Sequence, residues 1–303
     1  MEGIIKRKST NTMKNANKAR MNQKIMKNLC IASGIFVAIV VFSIIGYVGK
    51  QGLMVFKDVS VTEFFTSANW NPQEGAYGAY VFIRGTVILT FLSVVIGGVF
   101  GISCAIFMAK VAPERLRKIL RYAVELFVGI PSVVYGFIGL TVIVPIIRAF
   151  FPDSTGFGFL PAAIILGIMI LQTIINVSED SIRSVDRSLE EGSYAMGATR
   201  WQTIVKIIIP CAMPGISSGI ILGMARALGE TMAVLMVIGG TPQITNSLVM
   251  PTNVLTTGIA LDMTNTQFGS TWNNALFMMA TLLLIISLIL ILVVRFVSNR
   301  RVA

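Results

Sequence analysis

Six apolar runs, each long enough to cross a bilayer, leave this chain few folds to choose from. A span needs about 20 mostly apolar residues, and Leu29–Val48 supplies that length without a charge. Gly85–Ala109, Leu126–Ile147, Phe159–Val177, Gly215–Ile238 and Ala275–Val294 follow. A backbone in lipid must satisfy its own hydrogen bonds, so runs of this length are expected to be helices. That requirement overrides the sheet-forming bias of Gly85–Ala109, which is rich in β-branched residues and glycine. With 54% hydrophobic and 13% charged residues, the composition excludes a soluble enzyme. The expected fold is an all-α integral membrane protein with six transmembrane helices.

The first run follows 28 mostly polar residues and lacks a small-residue cleavage pattern, so it reads as a permanent anchor and not a signal peptide. The expected organisation is a basic tail at 1–28, a first helix at 29–48 and an outer segment at 49–84. A core over 85–294 holds five further helices and a polar loop at 179–210, and a short tail occupies 295–303. Charge bias sets the orientation. Lys6 to Lys27, Lys110 to Arg121, Arg183 to Lys206 and Arg295 to Arg301 hold twenty of the 25 basic residues on one side. Lys50, Lys57, Arg84 and Arg148 lie on the other. Both termini and the 179–210 loop are therefore expected in the cytoplasm. A basic tail running straight into a span reads as a lipid-facing retention charge, with membrane lipids and not nucleic acid as its partner.

Several chemistries are unavailable. The chain has no histidine, so it offers no imidazole base and no histidine metal ligand. Cys30, Cys104 and Cys211 have no close spacing and read as small buried hydrophobes. No G-x-x-x-x-G-K-[ST] phosphate loop occurs, so the chain carries no such ATP site of its own. No catalytic residue and no metal site are expected.

Two features carry function. Ionisable groups within a span are costly and functional by default, and Arg226 and Glu230 lie four residues apart in the fifth run. On a helical wheel, Gly215, Gly219, Gly223, Arg226 and Glu230 fall within one narrow arc. Glycines at this spacing let another helix approach closely. The charged pair either braces the bundle or presents Arg226, with its fork of donors, to an anion. Glu230 would repel a fully ionised anion but could accept a proton-bearing oxygen, which suits phosphate better than sulfate. The second feature is the polar loop: Glu191-Gly192-Ser193, three residues, Gly197, nine residues, Ile207, one residue, Ile209-Pro210.

That loop resembles the coupling loop of ABC-transporter permeases, E-A-A, three residues, G, nine residues, I-x-L-P, with Gly192 and Ser193 in place of two alanines and Ile209 for leucine. Arg226-Ala227-Leu228-Gly229-Glu230-Thr231 is similar to the R-A-x-G-E-T segment of phosphate-specific ABC permeases. Ile130-Pro131-Ser132-Val133-Val134-Tyr135-Gly136 is similar to their I-P-S-V-V-Y-G run. Trp70-Asn71-Pro72, Tyr77-Gly78 and Gly85-Thr86 resemble their outer segment. The chain resembles the PstC type more than the PstA type.

The resemblance implies a type I ABC importer (MetI-like) permease fold and phosphate import across a bacterial cell membrane, with molybdate or sulfate import as the near alternative. An ion-gradient carrier, with Glu230 as its proton or sodium site, is the alternative from another class. It further implies a sister PstA-type permease, a PstB-type ATPase dimer holding ATP and magnesium, and a PstS-type phosphate-binding protein outside. Arg226, Glu230, Thr231, Ser132 and Tyr135 would line the substrate path. Glu191, Gly192, Ser193, Ala195, Gly197, Ala198 and Pro210 would couple to the ATPase. Pro131 is expected to kink the third helix, freeing carbonyls that Ser132 and Tyr135 could satisfy. Capping of a helix end accounts for Gln172, Thr173 and Asn176. Phe64, Phe65, Trp70 and Trp272 fit an interfacial belt, and Leu255–Met263 reads as a short amphipathic stretch.

Overall fold

The computed structural model describes the backbone of residues 2–299 and the side chains of residue 23 and residues 25–296. The basic side chains at Lys6 to Arg20, Lys24, Arg300 and Arg301 lie outside the described ones. Among the described residues six helices are long and apolar enough to span a membrane, as the apolar runs predict.

The chain divides into two units, residues 1–50 and 51–303. The first is one helix, α1 (Glu2–Leu53), whose last three residues belong to the second unit. The expected tail at 1–28 is thus continuous in backbone with the first span. Between Gly3 and Gly34 no glycine or proline interrupts it, so nothing in the sequence stops the helix from propagating.

The second unit continues with α2 (Val61–Thr66) and a two-stranded hairpin, β1 (Trp70–Asn71) and β2 (Ala76–Tyr77), which turns at left-handed Gly75. Then come α3 (Tyr80–Ile106), α4 (Glu114–Val128), α5 (Ser132–Ile138), α6 (Val144–Phe150) and α7 (Phe159–Arg183). Two short helices, α8 (Arg187–Ala195) and α9 (Arg200–Thr203), lead into α10 (Ile209–Gly229). The chain closes with α11 (Met232–Leu235), α12 (Leu255–Asp262) and α13 (Thr271–Asn299).

Three π-helical turns join these pieces: Phe107–Val111, Gly139–Ile143 and Ile204–Ile208. Each precedes a proline by two residues, at Pro113, Pro145 and Pro210. Proline removes a donor from the helical ladder, and a wider turn lets the remaining groups pair.

The α3 and α7 helices form the most extensive pair, and α10 packs along α7 as well. Leu89, Ile165, Leu166, Met169, Ile170 and Ile174 are buried between them. In lipid such contacts stabilise by dispersion and close fit and not by the hydrophobic effect. Buried hydroxyls on α3 are satisfied within the helix: Thr86 donates to the Phe82 carbonyl at 2.8 Å and Ser93 to Leu89 at 2.7 Å.

Four sequence expectations are corrected. The third span begins at Ser132, because Leu126–Val128 closes the amphipathic α4 and Pro131 starts a new helix instead of kinking one. The fifth span runs from Arg200 to Gly229, so Pro210 lies inside it and Glu230 beyond it. The fourth continues to Arg183, leaving Gln172 buried mid-helix with no partner for its amide among the described residues. Helix-end capping does not account for it. Finally, Phe64 and Trp70 are buried and do not form an interfacial belt. They pack with Tyr77, Phe82, Leu255 and Leu276, and the Trp70 indole donates to Asp262 at 2.9 Å.

Candidate functional site

The polar loop folds as a capped helix. Asp186 accepts from the Ser188 amide at 2.9 Å and starts α8. At the other end the Gly197 amide donates to Tyr194 and the Ala198 amide to Ser193. This pair of bonds needs a left-handed residue between them, and Gly197 supplies φ of 80°. Gly197 therefore stands where the chain must turn back. Thr199 and Gln202 cap α9 reciprocally, and the Ser193 and Thr203 hydroxyls meet at 2.9 Å.

The α8 helix is tied to a distant part of the chain. Lys110, after α3, pairs with Glu190 at 2.6 Å, with side chains only 15% and 25% exposed. Arg200 donates to the Lys110 carbonyl, and the Tyr194 hydroxyl donates to Glu190 at 3.3 Å. The hydrogen bond from Lys110, with Tyr194 helping, holds the Glu190 carboxyl below the usual carboxylate range. The outer face of this loop carries large apolar side chains. Met196 is 89% and Trp201 67% exposed, and Leu189 joins them. Glu191, Gly192 and Ala195 are also exposed.

The second group of sequence-predicted residues converges where α5, α10 and α11 meet. The glycines of α10 lie against α7, as their spacing predicts. A Cβ on Gly219 would sit 3.3 Å from Val177 and Ser178, and one on Gly223 3.0 Å from Ile174. Tyr135 is buried and donates its hydroxyl to the Phe127 carbonyl at 2.9 Å, across the break at Pro131. It thus satisfies a carbonyl left free where α4 stops. Arg226, half-buried, lies near enough to Tyr135 to act on it electrostatically. Gly136 lets α5 meet α11, since a Cβ there would fall 2.9 Å from the Ala233 Cα.

Arg226 and Glu230 do not share the helix face that the wheel predicts. The α10 helix ends at Gly229, and Glu230 is extended at φ −71°, ψ 128°. Its carboxylate accepts from the Ala233 amide at 3.1 Å, opening α11, and its carbonyl accepts from Thr256 at 3.1 Å. Among the described residues no carboxylate lies within ion-pair distance of Arg226. Thr231 bonds only locally, to the Gly229 carbonyl, and Ser132 is half-buried in the first turn of α5.

Sequence reasoning missed Glu179. It is wholly buried, with one oxygen 3.4 Å from Arg183 and the other unpartnered. Its signal was the Glu179–Arg183 spacing of four, obscured by ending the span at Val177. The Lys110–Glu190 pair, eighty residues apart, had no local signal.

Residues 101–303 match the family model described as binding-protein-dependent transport system inner membrane component. The chain is 48% identical over 267 residues to the probable ABC transporter permease protein YqgH of Bacillus subtilis, covering 88% of this chain and 85% of the relative. It is 34% identical to the phosphate transport system permease protein PstC of Mesorhizobium japonicum, covering 78% of each. In fold it is similar to a bacterial ABC transporter involved in the import of the acidic polysaccharide alginate, with a TM-score of 0.63 and 19% identity. That likeness covers 93% of this chain and 99% of the other. The type I importer permease fold and the six spans are those expected.

Proposed function

The chain belongs to the family of binding-protein-dependent transport system inner membrane components, and from that premise we propose that it passes inorganic phosphate into a bacterial cell. It is a multi-pass, non-catalytic membrane subunit of an ATP-driven importer. The phosphate reading rests above all on Arg226, a half-buried cation near Tyr135 of the Ile130–Gly136 motif, with no carboxylate within ion-pair distance among the described residues. A half-buried charge with no such partner keeps its donors free, which suits an anion that passes and leaves. Glu230 supports the same reading. One of its oxygens is held by Ala233, and the other is available to accept from a protonated phosphate oxygen. Names of relatives point the same way.

Coupling runs through α8. Leu189 on α8, Met196 just after it and Trp201 on α9 expose large apolar side chains on a polar loop, which suits a protein contact. The partner is an ATPase dimer of the PstB type, which holds the ATP and magnesium. A PstA-type sister permease and an outer PstS-type phosphate-binding protein complete the assembly, and the α8 face lies in the cytoplasm. ATP-driven closure of the ATPases moves α8, and the Lys110–Glu190 pair carries that motion to the end of α3.

Two measurements test this reading. The subunit purified under mild conditions should bring down a P-loop ATPase, and cells carrying the assembly should take up labelled phosphate that excess sulfate or molybdate does not displace. Displacement by molybdate would move the reading to a sister oxyanion importer. Absence of any ATPase would remove the coupling role of α8.

A further inference from the structure

A cleft lined largely by charged side chains opens beside α8. Between α8, the turn after α3, the start of α4 and the end of α7 lies a cleft of about 340 Å³, many times the space one water needs. Four cations line it: Lys110, Arg117, Arg183 and Arg187. Two carboxylates, Glu190 and Glu191, line it as well. Two of the cations are paired, Lys110 with Glu190 at 2.6 Å and Arg183 with the wholly buried Glu179 at 3.4 Å. Arg117 and Arg187 have no ion pair among the described residues, although Arg117 acts on Glu114 one helical turn away. With Glu179 counted against Arg183, four cations face three carboxylates, so the cleft keeps an excess of one positive charge, and Arg117 and Arg187 offer forked donors that match tetrahedral oxyanions.

We propose that this cleft binds a phosphate-type oxyanion, bridged between Arg117 on α4 and Arg187 on α8. The site is separate from the path at Arg226, which lies near Tyr135 and the other end of α10. Its consequence rests on the permease reading: an anion joining α4 to α8 restrains the coupling helix, so phosphate accumulated on this face slows further import. The binding itself does not depend on that reading. The same chemistry is offered by free phosphate and by an anionic lipid headgroup.

The test uses the full chain carrying Arg226→Gln, which removes the path cation, in nanodiscs of phosphatidylcholine. Equilibrium dialysis with labelled inorganic phosphate should show saturable binding that sulfate displaces and chloride does not. Adding Arg117→Gln and Arg187→Gln should weaken it roughly tenfold or more, the loss of one charge-assisted hydrogen bond or more. Unchanged elution and circular dichroism would show that the variant is folded. A parallel arm uses nanodiscs doped with phosphatidic acid and native mass spectrometry. Lipid retained by the parent and lost from the arginine variant assigns the site to a headgroup and supports the proposal by that source. Equal phosphate binding and equal lipid retention in parent and variant would overturn it. So would binding abolished by co-assembly with the ATPase, which would make the cleft a carboxylate-accepting docking surface.

Discussion

Adding one methyl group at Gly136 tests whether α5 and α11 truly meet beside Tyr135. The new Cβ would lie 2.8 Å from the Met236 sulfur and 2.9 Å from the Ala233 Cα. The methionine side chain can swing away. The Ala233 backbone cannot, so α11 must retreat by several tenths of an ångström. Overpacking of this kind costs about 1–3 kcal/mol, while replacing a helical glycine by alanine returns about 1 kcal/mol. Gly98→Ala isolates the clash, because Gly98 is also helical and buried and its Cβ would meet nothing within 4 Å. Gly136→Ala should therefore be less stable than Gly98→Ala by about 1–3 kcal/mol, or roughly 2–12 °C in unfolding midpoint. Thermal unfolding in nanodiscs, followed by circular dichroism, measures the difference. Because Glu230 opens α11, phosphate uptake should fall in Gly136→Ala alone. Equal midpoints for the two variants would refute the contact.

Glu230→Ala should lose the cap on α11 and about 1 kcal/mol of stability, whereas Glu230→Gln keeps an acceptor and should unfold close to the parent in the same melt. Gly197→Asp places a side chain at a left-handed position for about 1–2 kcal/mol without a clash; the subunit should insert normally and pull down less ATPase at matched expression. In a background lacking Cys30, Cys104 and Cys211, an impermeant thiol reagent on intact cells should label Glu74→Cys and not Gly197→Cys. The Glu190 pKa lies below its unfolded value of about 4.3, so its contact with Lys110 stabilises α8 above that pH. The contribution is lost as pH falls through the lower folded value. Limited proteolysis of residues 184–200 should quicken as pH falls below that unfolded value and through the lower folded one, and Glu190→Gln should abolish that step.

The spans were legible because lipid forces a backbone with about 20 apolar residues into a helix whatever its local preference. The α10 glycines were legible for the same reason, since a helical period fixes which residues share a face. Their ends were harder. Leu126–Val128 looks like membrane by composition, yet Pro131 assigns it to α4. Glu230 was placed on the Arg226 face by assuming a helix that stops at Gly229. The loop motif singles out Gly197, and its left-handed φ with the hydrogen bonds from Gly197 and Ala198 gives a physical reason for a glycine in that turn. Burial of Phe64 and Trp70, and the tie between Lys110 and Glu190, depend on residues far apart in the chain. No local period carries that information.

Reconstituted transport puts ATP-driven passage of phosphate past Arg226 to the test. Proteoliposomes containing the subunit with its sister permease and ATPase, ATP inside and phosphate-loaded binding protein outside, should accumulate labelled phosphate. Accumulation should require ATP, survive collapse of ion gradients and fail with Arg226→Gln in a complex that still binds ATP. Uptake that continues without ATP and stops when the ion gradient is dissipated would instead make the chain a gradient-driven carrier.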